Sequence, residues 1–222
     1  MTMDSSNSGT RDTLVPHSVL SAASHELRGP LGVARGYLRL LVLGGQLEPK
    51  MLKAVEEASR AGDRMAELLD ELSLYARWAR GEAHLKRTKI GLADLLAAAV
   101  AAVPLPATPA INVTTTIPPD LHIDADETQL AHALRQLITS LVRAQVEDAE
   151  ILVRAVAEEG TTALTILVPR DEETEWDEEE PTLERSGLGL GVALADLLIR
   201  LHGATLRERR HGRAWSGYIV RF

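Results

Sequence analysis

Two stretches of the chain repeat a small or apolar residue in steps that alternate four and three, and that spacing restricts both to helices buried along one seam. The first stretch runs Leu20, Ser24, Leu27, Leu31, Ala34, Leu38 and Leu41, with Ser24 its only polar member. The second runs Met51, Val55, Ala58, Gly62, Met65, Leu69, Leu72 and Ala76 and stops before Gly81. Between them Gly44 and Gly45 suit a helix end and Pro49 suits a helix start, which predicts an antiparallel hairpin over residues 15–80. A lone hairpin cannot bury both seams fully, so a homodimer that closes a four-helix bundle is the expected assembly.

Beyond Arg87 the pattern changes to short alternating elements. Helices are predicted over 92–103, 127–144 and 189–201. A strand is predicted over 111–117 from its β-branched Val and Thr, a hairpin over 151–156 and 163–168 around Glu158-Glu159-Gly160, and two strands between 204 and 222. The expectation for 88–222 is an α/β sandwich with helices on one face of a mixed sheet. Residues 1–14, rich in Ser, Thr, Asn and Gly, are expected to be a disordered lead.

Composition narrows the chemistry. With Cys 0, disulfides, thiolate metal sites and cysteine nucleophiles are excluded, and an intracellular compartment fits. No run reaches the roughly 18 apolar residues of a membrane span, so no membrane segment and a cytoplasmic location are expected. The net charge of -8 comes from one run, Asp171 to Glu180, which reads DEETEWDEEE and holds eight acids; without it 24 acids face 24 Lys and Arg. That balance leaves no basic surplus for nucleic acid.

Chemistry concentrates in Ser24-His25-Glu26-Leu27-Arg28-Gly29-Pro30-Leu31. His25 falls one residue past the seam position Ser24, at the border of the buried stripe, where its imidazole reaches solvent. Neutral imidazole is a nucleophile near neutral pH, and the adjacent Glu26 can orient its second nitrogen and accept the released proton. Pro30 removes a backbone donor from the following turn.

This octet resembles the phospho-acceptor box of histidine kinases, whose usual form is Ser-His-Glu-Leu-Arg-Thr-Pro-Leu; seven of eight positions agree. Asp126 to Ala144 is similar to the family's first nucleotide-binding helix. Ser186-Gly187-Leu188-Gly189-Leu190-Gly191 is similar to its glycine box, and Leu201-His202-Gly203 to the end of the helix that follows. The resemblance implies a dimerisation and phospho-acceptor hairpin joined to a domain of the histidine kinase ATPase type. It further implies His25 as phospho-acceptor with Glu26 as its proton partner, a response-regulator receiver as partner, and a nucleotide set of Ser140, Arg143, Asp171, Gly187, Gly189 and Gly191.

The nucleotide half departs from the family pattern. Gln136 and Ser140 stand at its two Asn positions, Arg143 at its usual Lys, and Gly29 where Thr or Asn orients a water. After the strand ending at Val168, Pro169-Arg170-Asp171-Glu172-Glu173 offers one displaced aspartate and no glycine in place of the adenine-binding Asp-x-Gly-x-Gly. The acidic run falls where the family has a lid over the triphosphate; it reads either as a repulsive lid or as a solvated loop at a distance. No resident metal and no tightly bound cofactor are therefore expected, Mg²⁺ would come with the receiver, and ATP use is expected to be lost. Three functions stay open: histidine phosphotransfer with a receiver aspartate, a sensor histidine kinase with a divergent ATP site, and a non-catalytic dimeric scaffold that binds a regulator.

Overall fold

The structure is a computed structural model that describes residues 17–45, 47–158, 160–169, 176–181, 189–211 and 214–222. The expected disordered lead over 1–14 lies outside the described residues.

Helices α1 (His17–Leu43) and α2 (Pro49–Ala79) form the hairpin. Pro49 occupies the first turn of α2, where its missing N–H is unpaired in any helix. Ser24 lies as far before the connecting loop as Leu69 lies after it, and antiparallel packing brings the two together: Ser24 Oγ donates to Leu69 O at 2.8 Å. Each predicted seam resolves into two sets. Ser24, Leu31 and Leu38 on α1 and Val55, Gly62, Leu69 and Ala76 on α2 close the hairpin, whereas Leu27, Ala34 and Leu41, and Met51, Ala58 and Met65, stay exposed. A single hairpin thus uses half of each heptad.

A six-stranded mixed sheet follows, in the order β2-β4-β5-β8-β7-β6. Its strands are β2 (Ile111–Thr116), β4 (Ala149–Glu158), β5 (Thr161–Leu167), β6 (Asp177–Glu179), β7 (Thr205–His211) and β8 (Ala214–Arg221). β2 and β4 run parallel and the other neighbours antiparallel. β1 (Thr88–Gly91) and β3 (His122–Ala125) make a separate antiparallel pair. Ile151, Val153 and Ala155 point into the core at period two, as do Leu164 and Ile166. They meet helices α3 (Leu92–Ala101), α4 (Glu127–Ala144) and α5 (Gly189–Leu201).

Local signals set the helix ends. Asp126 caps α4, its carboxylate accepting from Gln129 N–H at 3.1 Å. Gly203, at φ 82, ends α5 with bonds from Gly203 N–H to Arg200 O and from Ala204 N–H to Ile199 O, a Schellman closure that needs a left-handed residue. The hairpin is built into this second unit, because Trp78 and Ala76 of α2 are buried and Trp78 joins the α/β core.

The described part of the acidic run is a strand, not a lid or a free loop. β6 pairs with β7, Asp177 opposite Arg210 and Glu178 opposite Arg209. Both Glu178 oxygens accept from Arg221 at 2.6 Å, and Glu180 is paired with Arg200 at 2.7 Å and with Arg207. Arg209 lies 5.4 Å from the centre of the Trp176 ring. Basic side chains of β7 and β8 neutralise the acids and make a pairing strand of a segment whose composition alone disfavours one.

Candidate functional site

His25 sits on α1 one position beyond the buried Ser24, and its imidazole is exposed. The turn below it is tightly tied to α2. With the Ser24 proton given to Leu69 O, Ser73 is the donor across the 2.5 Å contact between the two hydroxyls. Arg28 reaches across the helices to Asp70 at 2.8 Å and to Ser73 Oγ at 3.0 Å. His25 opens into a cavity of about 330 Å³ between α1 and α2, lined also by Ser21, Arg28, Asp70, Ser73, Arg77 and Arg80. A nucleophilic imidazole at the mouth of a cationic cavity on a rigid hairpin can accept a phosphoryl group from a donor that approaches from solvent. Glu26 is exposed beside it.

On the other side of α2, Asp70 and Leu74 also line a cavity of about 230 Å³ walled by α4 through His132, Arg135, Gln136 and Arg143. Here the side chains matching the family's magnesium positions are committed to protein partners. Gln136 Nε2 donates to Glu71 Oε1 at 3.0 Å, and its amide oxygen Oε1 faces Gly191, where a Cβ would lie only 2.8 Å away. Ser140 Oγ donates to Leu137 O at 2.7 Å and accepts from Tyr218 at 2.9 Å, deep under the sheet. Arg143 reaches Glu67 of α2 at 3.5 Å. Glu71 is buried, its Oε2 meets no hydrogen-bond donor among the described residues, and burial raises its pKa against the lowering pull of Arg64. These groups do not fit an octahedral ion bridging phosphates: one amide is turned onto a carboxylate and one hydroxyl into the core.

The remaining sequence-derived positions scatter. Gly189 starts α5, and Gly191 lies inside that helix, where its missing Cβ lets α5 approach Gln136 and Glu71. Asp171 and Gly187 lie outside the described residues. His202 is buried and serves the frame: its Nε2 accepts from Asp126 N–H at 3.1 Å and its Nδ1 contacts Leu198 O at 2.8 Å. Burial, the larger influence, lowers its pKa, which keeps it neutral as an acceptor. Arg77, Arg80 and Glu71 were not singled out by motif reasoning. Each lies on α2 or at its C-cap, across the hairpin loop from His25, where no local spacing marks it.

Comparison with known proteins agrees with this arrangement. Residues 18–81 match the model of the His Kinase A (phospho-acceptor) domain. The chain as a whole is similar to two-component sensor histidine kinases. It is 26% identical over 196 residues to the phosphate regulon sensor protein PhoR of Pseudomonas aeruginosa, covering 82% of this chain and 44% of PhoR. It is 29% identical over 219 residues to the C4-dicarboxylate transport sensor protein DctB of the same organism, covering 90% of this chain and 34% of DctB. The chain therefore spans less than half the length of these relatives. Full-length ShkA, crystallised in complex with AMPPNP, shares the fold with a TM-score of 0.68 at 22% identity, over 94% of this chain and 45% of ShkA. No helix among the described residues is long and apolar enough to cross a membrane.

Proposed function

We propose that this chain carries a phosphoryl group on His25 and exchanges it with the aspartate of a response-regulator receiver, as a homodimer and without using ATP. The observation that carries the reading is the contrast between the two sides of α2: His25 is open to a cationic cavity, while Gln136 and Ser140 are engaged by Glu71 and Tyr218. In the reaction, a neutral imidazole nitrogen attacks the phosphorus of the aspartyl phosphate in line. The N–P bond forms as the P–O bond to the receiver carboxylate breaks, and the proton on the second imidazole nitrogen passes to Glu26 or water. Mg²⁺ is brought by the receiver's own carboxylates. The reverse direction regenerates free His25. A cytoplasmic location suits such a partner.

Homodimerisation is supported by the exposed half of each heptad. Leu27, Leu41 and Met65 are 53%, 48% and 54% exposed on the single hairpin, an apolar stripe that a second hairpin would cover.

The test supplies the full chain either with radiolabelled ATP and Mg²⁺ or with a radiolabelled phospho-receiver. Acid-labile, base-stable label should reach wild type from the receiver, be absent from His25→Ala, and not arrive from ATP. Label from ATP that depends on His25 makes the chain a kinase. Failure of both donors leaves the dimeric scaffold.

A further inference from the structure

Three guanidinium groups and one carboxylate, Asp70, line the His25 cavity, and their pairing is unequal. Arg28 is held by Asp70 at 2.8 Å. Arg80 forks onto Glu82, with Nε to Oε1 at 2.6 Å and Nη2 to Oε2 at 2.7 Å. Arg77, one turn beyond Ser73 on α2, makes no ion pair among the described residues, and the opposite charge it does feel, Glu82, is the one already forked onto Arg80. It is exposed and lines the same cavity as the imidazole. A free guanidinium beside a nucleophile is the donor set that a transferring phosphoryl group requires, since the charge in its loose transition state spreads over three equatorial oxygens.

We infer that Arg77 is the phosphoryl-binding residue of the His25 site, contacting the equatorial oxygens during transfer and afterwards holding the phosphoimidazole within the cavity. Arg28 acts as a positioning residue that fixes α1 against α2, and Arg80 is kept from the phosphoryl group by Glu82. This inference rests on His25 being the acceptor, and its test separates the two claims.

The probe is phosphoramidate, a small donor that needs neither receiver nor nucleotide. The His25 nitrogen attacks its phosphorus, the donor P–N bond breaks, and ammonia leaves and takes up the proton released by the imidazole. Label on the full chain is followed by time course, with sulfate as a competitor against chloride of equal ionic strength. A charge-assisted contact in an open cavity predicts that Arg77→Gln labels about tenfold more slowly. Arg77→Lys should recover most of the rate, and Arg60→Gln, exposed elsewhere on α2 and outside the cavity, should change it less than about twofold. Sulfate should slow wild type and Arg77→Lys but not Arg77→Gln. Helicity by circular dichroism should be equal in all variants, because Arg77 is exposed. If Arg77→Gln labels at the wild-type rate, or wild type ignores sulfate, the role of Arg77 is overturned while His25 survives as acceptor. If wild type takes no label that His25→Ala lacks, both fall.

Discussion

Single residues of this chain carry opposite charges on its stability as pH changes. Burial raises the pKa of Glu71, so the folded chain binds that proton more tightly than the unfolded chain does. Its contribution is fully present below the ordinary value of 4.5 and is lost as pH rises through the raised one. Burial, with Arg135 second, lowers the pKa of His132 from 6.5 to about 4, so its contribution is present above 6.5 and fades as pH falls toward 4. Glu71→Gln keeps an oxygen to accept from Gln136 and removes only the titration. Followed from pH 4.5 to 7.5, the variant should therefore gain on wild type in Tm as pH rises through the raised value and then keep that lead, retaining the acid-side loss that belongs to His132. A difference in Tm that stays constant over that range would contradict the burial of Glu71 as a carboxylate. His25 itself was legible because its motif is eight consecutive residues. Glu71 was not, because what distinguishes it is a partner on another helix, Gln136.

Among the elements, α1 and α2 use one half of each heptad inside the hairpin and leave the other half for the proposed dimer. The set beginning at Ser24 and Val55 closes the hairpin and the set beginning at Leu27 and Met51 is exposed, so periodicity alone identified the helices but merged two faces into one seam. Burying each such Leu or Met is worth about 1.5–3 kcal/mol. Leu27→Glu with Met65→Glu should weaken the dimer by roughly 100-fold or more on that scale, giving a monomer in sedimentation velocity with unchanged helicity. An unaltered dimer would place the interface elsewhere. The helices α4 and α5 were predicted at their observed bounds, since an Asp cap and a terminal Gly mark them locally. β1 and β3 were missed because four residues each are too short for period two to show. β6 was missed because Asp-Glu-Glu reads as a loop until the arginines of β7 and β8 stand beside it.

At the scale of the whole molecule, α2 belongs to both units. Trp78 is 4% exposed and joins Leu92, Leu96 and Leu130 in the α/β core, so hairpin and sandwich are coupled through one helix. The full chain should unfold in a single calorimetric transition, and Trp78→Ala should lower stability by about 3–5 kcal/mol while keeping one transition. Two separate transitions in wild type would show that the junction is loose. Short-range features along the chain, namely heptad spacing, caps, turn glycines and the octet around His25, were enough to specify a hairpin of the His Kinase A type followed by an α/β sandwich, because each of those signals acts within a few turns. Packing alone decided that α2 presents Arg77 to His25 on one side and Glu71 to Gln136 on the other, and that Ser140 turns to Tyr218. Those pairings join groups dozens of residues apart, and their geometry exists only once the helices have docked.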